Sequence, residues 1–300
     1  MLSQAIERRH HIPRGCAWIN YVRSHDDIGW TFSDEDAQEL GKNGFDHRRF
    51  LNAFYVNRHP GSFARGEPFQ DNPKTGDCRI SGTTASLAGL EVESGREAAI
   101  ERILLAYSIA MSLGGITLIY LGDEVGQLND YSYVNDPARR DDTRWVNRPN
   151  YPEHLYAKRF DKLSIPGKLY DAFRRMIHVR KTCVAIAGGR ALSFYTGNPA
   201  VLGYLRPSRP IPASSSPSRS SHPSPSLLCL ANFSDFSQWV DSARFQALPA
   251  EGLDLVSGSV VPMRDAGIHM RPRQFLWLSY PIEPDERERV LRERTLPFRN

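Results

Sequence analysis

Three polar side chains that could do chemistry, His25, Asp26 and Asp27, follow one another in the stretch NYVRSHDDIGWT. They come after an apolar run, Trp18 to Val22, that predicts a buried β-strand. Carboxylates beside a histidine can bind sugar hydroxyls, face a developing oxocarbenium ion or serve acyl transfer. A solvated turn with a capping aspartate and a metal site are the alternatives, although no second His or Cys cluster has ligand spacing.

Aromatic and basic side chains near this stretch favour a sugar ligand. Aromatic rings can stack on pyranose faces, and arginines can orient carboxylates or hydroxyls, although core packing is the simpler explanation for most of the rings. The residues concerned are Trp30, Phe32, Phe45, Phe54, Tyr55, Arg48, Arg79 and Arg144.

Two acidic stretches raise the question of a bound cation. In DNPKTGD, residues 71–77, proline occupies the third position, where a calcium loop needs a ligand, so we predict a turn. Asp123, Glu124, Asp130 and Asp136 form a looser set that could bind calcium, but a structural role at a strand end is the preferred interpretation for the first two. We therefore predict no metal and no cofactor.

Composition and motifs exclude several function classes. The chain has 300 residues with a net charge of +4, and its arginines are scattered among acids, so we predict no nucleic-acid partner. The P-loop, dinucleotide and serine-hydrolase motifs do not occur. Four widely spaced cysteines, the lack of a signal peptide and the lack of a long apolar run predict a cytoplasmic location and no membrane contact.

Helices and buried strands alternate in the first part of the chain. A strand is expected at 17–22, a helical stretch near 48–56, a helix after residue 96 that ends at Gly114-Gly115, and a buried strand at 116–121. This order predicts βα units of a parallel sheet, with acidic residues after both strands where such folds place their chemistry.

The pattern changes from about residue 190 to short strands, expected at 191–195, 201–205, 227–233, 259–261 and 274–278, which predict a small antiparallel β domain. The stretch 207–226 holds nine serines and six prolines, so a disordered insert between two paired strands is expected. We predict a partial barrel at 1–186, the β domain at 187–282 and a charged helix or tail at 283–300.

Several long stretches resemble the α-amylase superfamily and, within it, the amylosucrases of glycoside hydrolase family thirteen. The stretch NYVRSHDDIGWTFSDEDA is similar to the fourth conserved region of that superfamily. The similarity continues in GFDHRRFLNAFYVNR, GSFARGEPFQDNPKTGDCRISGT, LIYLGDEVGQLND and DDTRW, from about residue 17 to about residue 280. A lone HD pair would be a weak signal, but these stretches together are specific.

The resemblance implies an α/β fold: the C-terminal portion of a (β/α)8 TIM barrel, about strands seven and eight, followed by an antiparallel β-sandwich domain. It implies that Asp26 is the transition-state stabiliser and His25 its sugar-binding neighbour. Arg144 matches the arginine that helps to close the donor glucosyl pocket. The positions that match the fructosyl subsite or the acceptor path are Asp27, Asp34, Arg48 and Arg79.

The chain departs from the family pattern because barrel strands one to six, with the nucleophile and the acid/base, have no match in it. A missing N-terminal half is therefore an expected partner. The resemblance implies a glucosyltransferase that takes glucose from sucrose, extends an α-1,4-glucan and releases fructose. A sucrose hydrolase or other α-amylase-type glycosidase, a catalytically inactive truncated chain, and a carbohydrate-binding module without catalysis remain alternatives.

Overall fold

The computed structural model describes residues 2–8, 12–13, 15–74, 76–187, 190–208, 225–264, 266–282 and 286–295. The α-helices in this part are α1 (Leu2–Arg8), α2 (Asp34–Gln38), α3 (Gly44–Tyr55), α4 (Thr84–Leu87), α5 (Arg96–Ser112), α6 (Glu153–Ala157), α7 (Ile165–Thr182), α8 (Val184–Ala187) and α9 (Glu286–Thr295).

The strands are short in the first half and longer in the second. They are β1 (Ile19–Asn20), β2 (Ile28–Gly29), β3 (Glu67–Phe69), β4 (Arg79–Ser81), β5 (Ile116–Thr117), β6 (Leu192–Tyr195), β7 (Val201–Arg206), β8 (Ser226–Asn232), β9 (Gln238–Val240), β10 (Glu251–Asp254), β11 (Val260–Pro262), β12 (Ile268–Met270) and β13 (Phe275–Tyr280).

The described residues form two compact units. The first comprises Tyr21–Tyr107 and Leu118–Phe173, and the second comprises Leu2–Asn20, Ser108–Thr117 and Arg174–Asn300. In the second unit the buried Arg206 donates to the carbonyls of Leu113, Ala185 and Ile186. Short segments from the first half of the chain thus pack with the C-terminal residues. The two compact units therefore differ from the predicted domains, and the domain boundary at residue 186 stays a prediction.

In the first unit, a small antiparallel sheet lies close to the residues of chemical interest. Its described strands have the order β2-β4-β3, with Gly29 and Phe69 both opposite Arg79. The helical stretch expected near 48–56 begins earlier, at Gly44, because the Asn43 side chain accepts from the Asp46 N–H and caps the helix there.

In the second unit, β1 and β5 run parallel, with Ile19 opposite Ile116, as the βα pattern predicts. Both strands are shorter than expected, because only two residues of each are hydrogen-bonded to a described neighbour. The prediction that residues 116–121 are buried on both faces is wrong: Ile116 is 58% exposed and Leu121 is 55% exposed. An apolar run predicts a strand, but its side chains are buried only where other helices or strands pack on both faces of that strand.

The C-terminal residues form the predicted antiparallel β domain. Its larger described sheet has the order β11-β10-β13-β8-β7-β6, and β9 pairs with β12 in a second sheet. Leu228 and Leu276 of the larger sheet share one core with Val240 and Ile268 of the smaller. The parallel β1–β5 pair and this two-sheet β domain agree with the predicted fold class. The five strands expected here are confirmed, whereas β9, β10 and β12 were not predicted.

The Ser/Pro-rich stretch joins two paired strands, as predicted. β7 and β8 are antiparallel neighbours with Arg206 opposite Leu227. The expected disorder of 207–226 concerns mainly residues 209–224, which lie outside the described residues. In the expected tail, α9 is helical and buries Glu286, whose carboxylate accepts from the Ser279 hydroxyl at 2.9 Å.

Candidate active site

The carboxylate of Asp26 is held by two donors. Its Oδ1 accepts from the Asp27 backbone N–H at 2.9 Å and from the Arg144 guanidinium at 3.0 Å. The Ser24 hydroxyl accepts from the Asp26 N–H at 3.2 Å, which fixes the turn. The Asp27 N–H and then Arg144 hold the pKa of Asp26 well below its usual range. The side chain is 50% exposed, so it presents a negative charge to solvent or to a ligand.

Arg144 is oriented from three sides. Its Nε and one terminal nitrogen donate to the two Asp142 oxygens at 2.9 and 3.0 Å, the fork geometry that suits a guanidinium. Its planar group also lies 4.7 Å from the Phe69 ring centre. Asp142 caps the 3₁₀ helix Thr143–Asn147 by accepting from the Arg144 N–H. The remaining terminal nitrogen therefore points at Asp26.

Asp27 lies in a different environment, although it is the next residue. Its side chain is 8% exposed and lies 3.3 Å from the Arg79 guanidinium. Burial, and then the neighbouring carboxyl of Asp26, raise the pKa of Asp27 despite Arg79. The pair thus combines a fixed anion with a carboxyl that can carry a proton more readily.

A buried ion pair lies behind these residues. Arg23 donates its Nε to Asp123 at 2.9 Å, and both residues are almost fully buried. The other Asp123 oxygen accepts from the hydroxyls of Thr84 and Tyr107. The Arg23 guanidinium also lies 4.3 Å from the centre of the Tyr120 ring. These contacts agree with the structural role expected for Asp123.

The backbone of His25 and Asp26 is held by the end of the 3₁₀ segment. Arg148 donates its Nε to the His25 carbonyl at 2.7 Å, and the Asn147 amide donates to the Asp26 carbonyl at 3.2 Å. The His25 residue itself is exposed. Its side chain is therefore open to solvent.

Two of the predicted site residues form a separate pair. The Arg48 guanidinium donates to Asp34 at 2.7 Å and lies 5.5 Å from the Phe32 ring centre. Among the described contacts, none joins this pair to Asp26 or Asp27. The structure therefore brings Asp26, Asp27, Arg79 and Arg144 together and leaves Asp34 with Arg48.

Most of the aromatic residues named from the sequence pack against one another. Trp30 and Tyr55 have ring centres 5.5 Å apart, and Phe54 lies edge-on to Tyr55 at 5.6 Å. Core packing thus accounts for these rings. Phe69, which supports Arg144, was not singled out from the sequence.

The four acids considered for calcium each have a protein partner. Asp130 and Asp136 accept from backbone N–H groups two residues ahead, and Glu124 accepts from the Gly122 N–H and the Tyr156 hydroxyl. Asp123 is engaged by Arg23. Within the described ranges, no group of three or more His, Cys, Asp or Glu side chains has the arrangement of a metal site.

The residues that position the site, and that we did not predict from the sequence, are Arg23, Asp142, Asn147 and Arg148. Arg23 carried a detectable signal, because an arginine directly after the apolar run Trp18 to Val22 is costly unless it is paired. For Asn147 and Arg148 we find no local signal, since their partners are carbonyls more than a hundred residues away.

Curated proteins similar in sequence to this chain include a trehalose synthase and an α-amylase. A trehalose synthase from Pimelobacter sp. is 26% identical over 226 residues, which cover 68% of this chain and 34% of that protein. An α-amylase 3 from Dictyoglomus thermophilum is 27% identical over 115 residues, 35% of this chain and 23% of that protein. The chain thus spans about a third or less of these relatives, and no family model matches it.

Solved structures with partial similarity include AmyP bound to maltotriose, with a TM-score of 0.48 and 15% identity over 66% of this chain and 38% of AmyP. A cyclic α-maltosyl-(1→6)-maltose hydrolase from Arthrobacter globiformis has a TM-score of 0.39 and 18% identity over 66% of this chain and 33% of that enzyme.

The sequence similarity is to enzymes of the α-amylase superfamily, which agrees with the expected relationship at that level. The finer resemblance to the amylosucrases stays a prediction. The relatives are glycoside-processing enzymes, so the chain is related to enzymes. In the part of the chain that is described, no helix is both long and apolar enough to cross a membrane.

Proposed function

We propose that this chain is the C-terminal portion of an amylosucrase-like glucosyltransferase that takes glucose from sucrose, passes it to an α-1,4-glucan and releases fructose. The observation that carries the proposal is the environment of Asp26: its carboxylate is half-exposed and accepts hydrogen bonds from the Asp27 N–H and Arg144. Such a fixed anion stabilises positive charge as a glycosidic bond breaks. With its low pKa it is unsuited to donate a proton.

In this proposal Asp26 faces the anomeric carbon of the glucosyl unit and binds its hydroxyls, with His25 as a second hydroxyl ligand. Arg144 keeps the carboxylate ionised and closes the donor pocket. Asp27 and Arg79 bind the fructosyl unit or guide the acceptor. Asp34 and Arg48, which form their own pair, lie further along the acceptor path.

Retaining transfer also needs a carboxylate nucleophile and a carboxylic acid/base about 5 Å apart. We assign these roles to a further portion of the polypeptide or to a partner chain. The acid protonates the fructosyl oxygen as the nucleophile bonds to C1. The acceptor 4-hydroxyl then attacks C1, displaces the nucleophile and gives its proton to the same acid/base residue.

An α-glucan is the acceptor class that the similar proteins favour. AmyP was solved with maltotriose and with maltose, and the Arthrobacter enzyme with a cyclic maltosyl-maltose. These sugars share α-linked glucose units. Water in place of the acceptor gives a sucrose hydrolase, because the same intermediate is then hydrolysed.

The test is product analysis with the protein purified from the cells that make it. It is incubated with sucrose alone, with sucrose plus maltooligosaccharide, and with maltooligosaccharide alone. We expect fructose release together with longer glucans and little free glucose. Equal release of glucose and fructose would instead establish a hydrolase. Turnover of maltooligosaccharide without any turnover of sucrose would contradict the sucrose donor.

A further inference from the structure

We propose that Asn147 and Arg148 are positioning residues that clamp the His25–Asp26 backbone and so hold the Asp26 carboxylate against Arg144. The functional part of this inference rests on the proposed glucosyl transfer, in which Asp26 is the charge stabiliser. The structural part concerns only contacts within the first compact unit and can be tested without any substrate.

Four contacts join the segment 142–148 to the segment 23–26. Arg148 donates to the His25 carbonyl at 2.7 Å, and Asn147 donates to the Asp26 carbonyl at 3.2 Å. Arg23 donates to the Asn147 carbonyl at 3.0 Å, and Arg144 donates to the Asp26 carboxylate at 3.0 Å. Backbone and side chain of Asp26 are thus fixed by one short 3₁₀ segment, which sets the distance between carboxylate and guanidinium.

The clamp is anchored inside the protein. Arg23 connects the Asn147 carbonyl to Asp123, whose second oxygen is occupied by the Thr84 and Tyr107 hydroxyls. A buried ion pair resists displacement, because moving either partner leaves a charge unpaired at low dielectric. The segment that holds Asp26 is therefore attached to a rigid support rather than to a mobile surface loop.

The environment of Asn147 indicates that this residue positions Asp26 and does not only stabilise the fold. The residue is 1% exposed, and its Oδ1 is buried with no hydrogen-bond partner in the described structure. An unpaired buried polar atom destabilises a fold, so stability alone would favour an apolar residue here. The amide nitrogen is nevertheless directed to the Asp26 carbonyl, as a positioning residue requires.

Three variants and one control separate the clamp from general stability. Asn147→Ala removes the amide without changing any charge, so a shift in the Asp26 pKa then reports geometry alone. Arg148→Ala acts at a half-buried position, where folding is less sensitive, and Arg148→Lys keeps a donor and the charge. Arg139→Ala is the matched control, since Arg139, like Arg148, lies over the Trp145 ring but has no described contact with residues 23–26.

The measurement is a carbon-13 NMR titration of the Asp26 carboxyl in the full chain, with circular dichroism as the folding check. The titratable groups beside Asp26 are its chain neighbours His25 and Asp27, with Arg79 on Asp27, and Asp142, Arg144 and Arg148 on the segment that contacts it. We expect the Asp26 pKa to rise by about one unit or more in Asn147→Ala and Arg148→Ala. Arg148→Lys should recover part of the shift, and Arg139→Ala should leave it unchanged.

An unchanged Asp26 pKa in both alanine variants, with the fold intact, would overturn the clamp whatever the enzyme does. If the wild-type protein turns over no sugar, the proposed function fails while the titration still decides the clamp. Where turnover is present, the clamp predicts that Asn147→Ala lowers kcat by about tenfold or more with little change in KM, because Asp26 acts in the transition state.

Discussion

At the scale of single residues, Asp26 and Asp27 have opposite environments although they are adjacent and chemically identical. The N–H of Asp27 and the Arg144 guanidinium lower the pKa of Asp26, whereas burial raises the pKa of Asp27. Pairs of carboxyls with separated pKa values are a common feature of active sites, since one group stays charged while the other can bind a proton.

The raised pKa of Asp27 leads to a prediction about stability. A carboxyl whose pKa is higher in the folded than in the unfolded state stabilises the fold below its unfolded pKa and loses that contribution as pH rises through the folded pKa. We therefore expect Asp27→Asn to raise the melting temperature at neutral pH, and the difference to vanish at acidic pH. Calorimetric scans over a pH series measure this, and a lower melting temperature of the variant at neutral pH would contradict it.

The residues of the candidate site differed in how far sequence could identify them. Asp26 and Arg144 lie in motifs whose residue types carry the chemistry, so their proximity, with Asp27 and Arg79 beside them, could be expected. Asp34 and Arg48 match positions in the same family pattern, yet they bond to each other. The clamp residues were not predicted, because their function depends on carbonyls that only the folded chain brings within reach.

At the scale of elements, the Arg23–Asp123 pair stabilises the segment that carries His25 and Asp26. Arg23→Met keeps most of the side-chain volume but leaves the buried Asp123 carboxylate unpaired. We expect the free energy of unfolding to fall by about 3 kcal/mol. Urea unfolding of the chain measures this change.

The double variant Arg23→Met with Asp123→Asn tests whether the cause is the unpaired charge. It should recover part of the loss, because the charge is removed with its partner. A loss below about 1 kcal/mol in the single variant would show that the pair is not a structural anchor.

Strands were predicted correctly where apolar and polar residues alternate clearly. The prediction failed where the extent of a strand depends on its hydrogen-bonded neighbour. The expected strands at 191–195, 201–205 and 227–233 are confirmed within a residue or so. β9 and β12 are three residues long, too short to show a period. The apolar runs at 17–22 and 116–121 resemble long strands, but hydrogen-bonded neighbours limit β1 and β5 to two residues each.

The β7–β8 pairing predicts that the stretch between these strands can be shortened. Arg206 and Leu227 are opposite each other, and the Ser208 N–H donates to the Ser226 hydroxyl at 3.1 Å. Replacing residues 209–224 by a short Asn-Gly turn reduces the entropy cost of loop closure by about 1 kcal/mol. We expect an unchanged or higher melting temperature of the chain. Loss of the cooperative melt would contradict the hairpin.

At the scale of the whole molecule, the chain has exposed apolar residues on a short parallel sheet. Ile19 and Ile116 lie opposite each other and are more than half exposed, and β1 and β5 have no other described strand neighbours. Unpaired strand edges with apolar side chains promote association. We expect the chain to self-associate as its concentration rises, which light scattering coupled to size exclusion measures.

The double variant Ile19→Lys and Ile116→Lys should reduce this association. Leu163→Lys is the matched control, since Leu163 is even more exposed but lies in the turn between α6 and α7. A monomeric wild-type chain at high concentration, or an equal effect of the control, would show that the sheet does not cause association.

The central claim, that Asp26 stabilises the charge of a glucosyl-transfer transition state, is tested most directly by Asp26→Asn in the protein purified from the cells that make it. The measurement is kcat for sucrose turnover, with Asp46→Asn as an exposed acid-to-amide control on α3. We predict a fall of about 10²-fold or more for Asp26→Asn, an unchanged fold and a wild-type rate for the control. A rate above about a tenth of the wild type in Asp26→Asn would contradict the assignment.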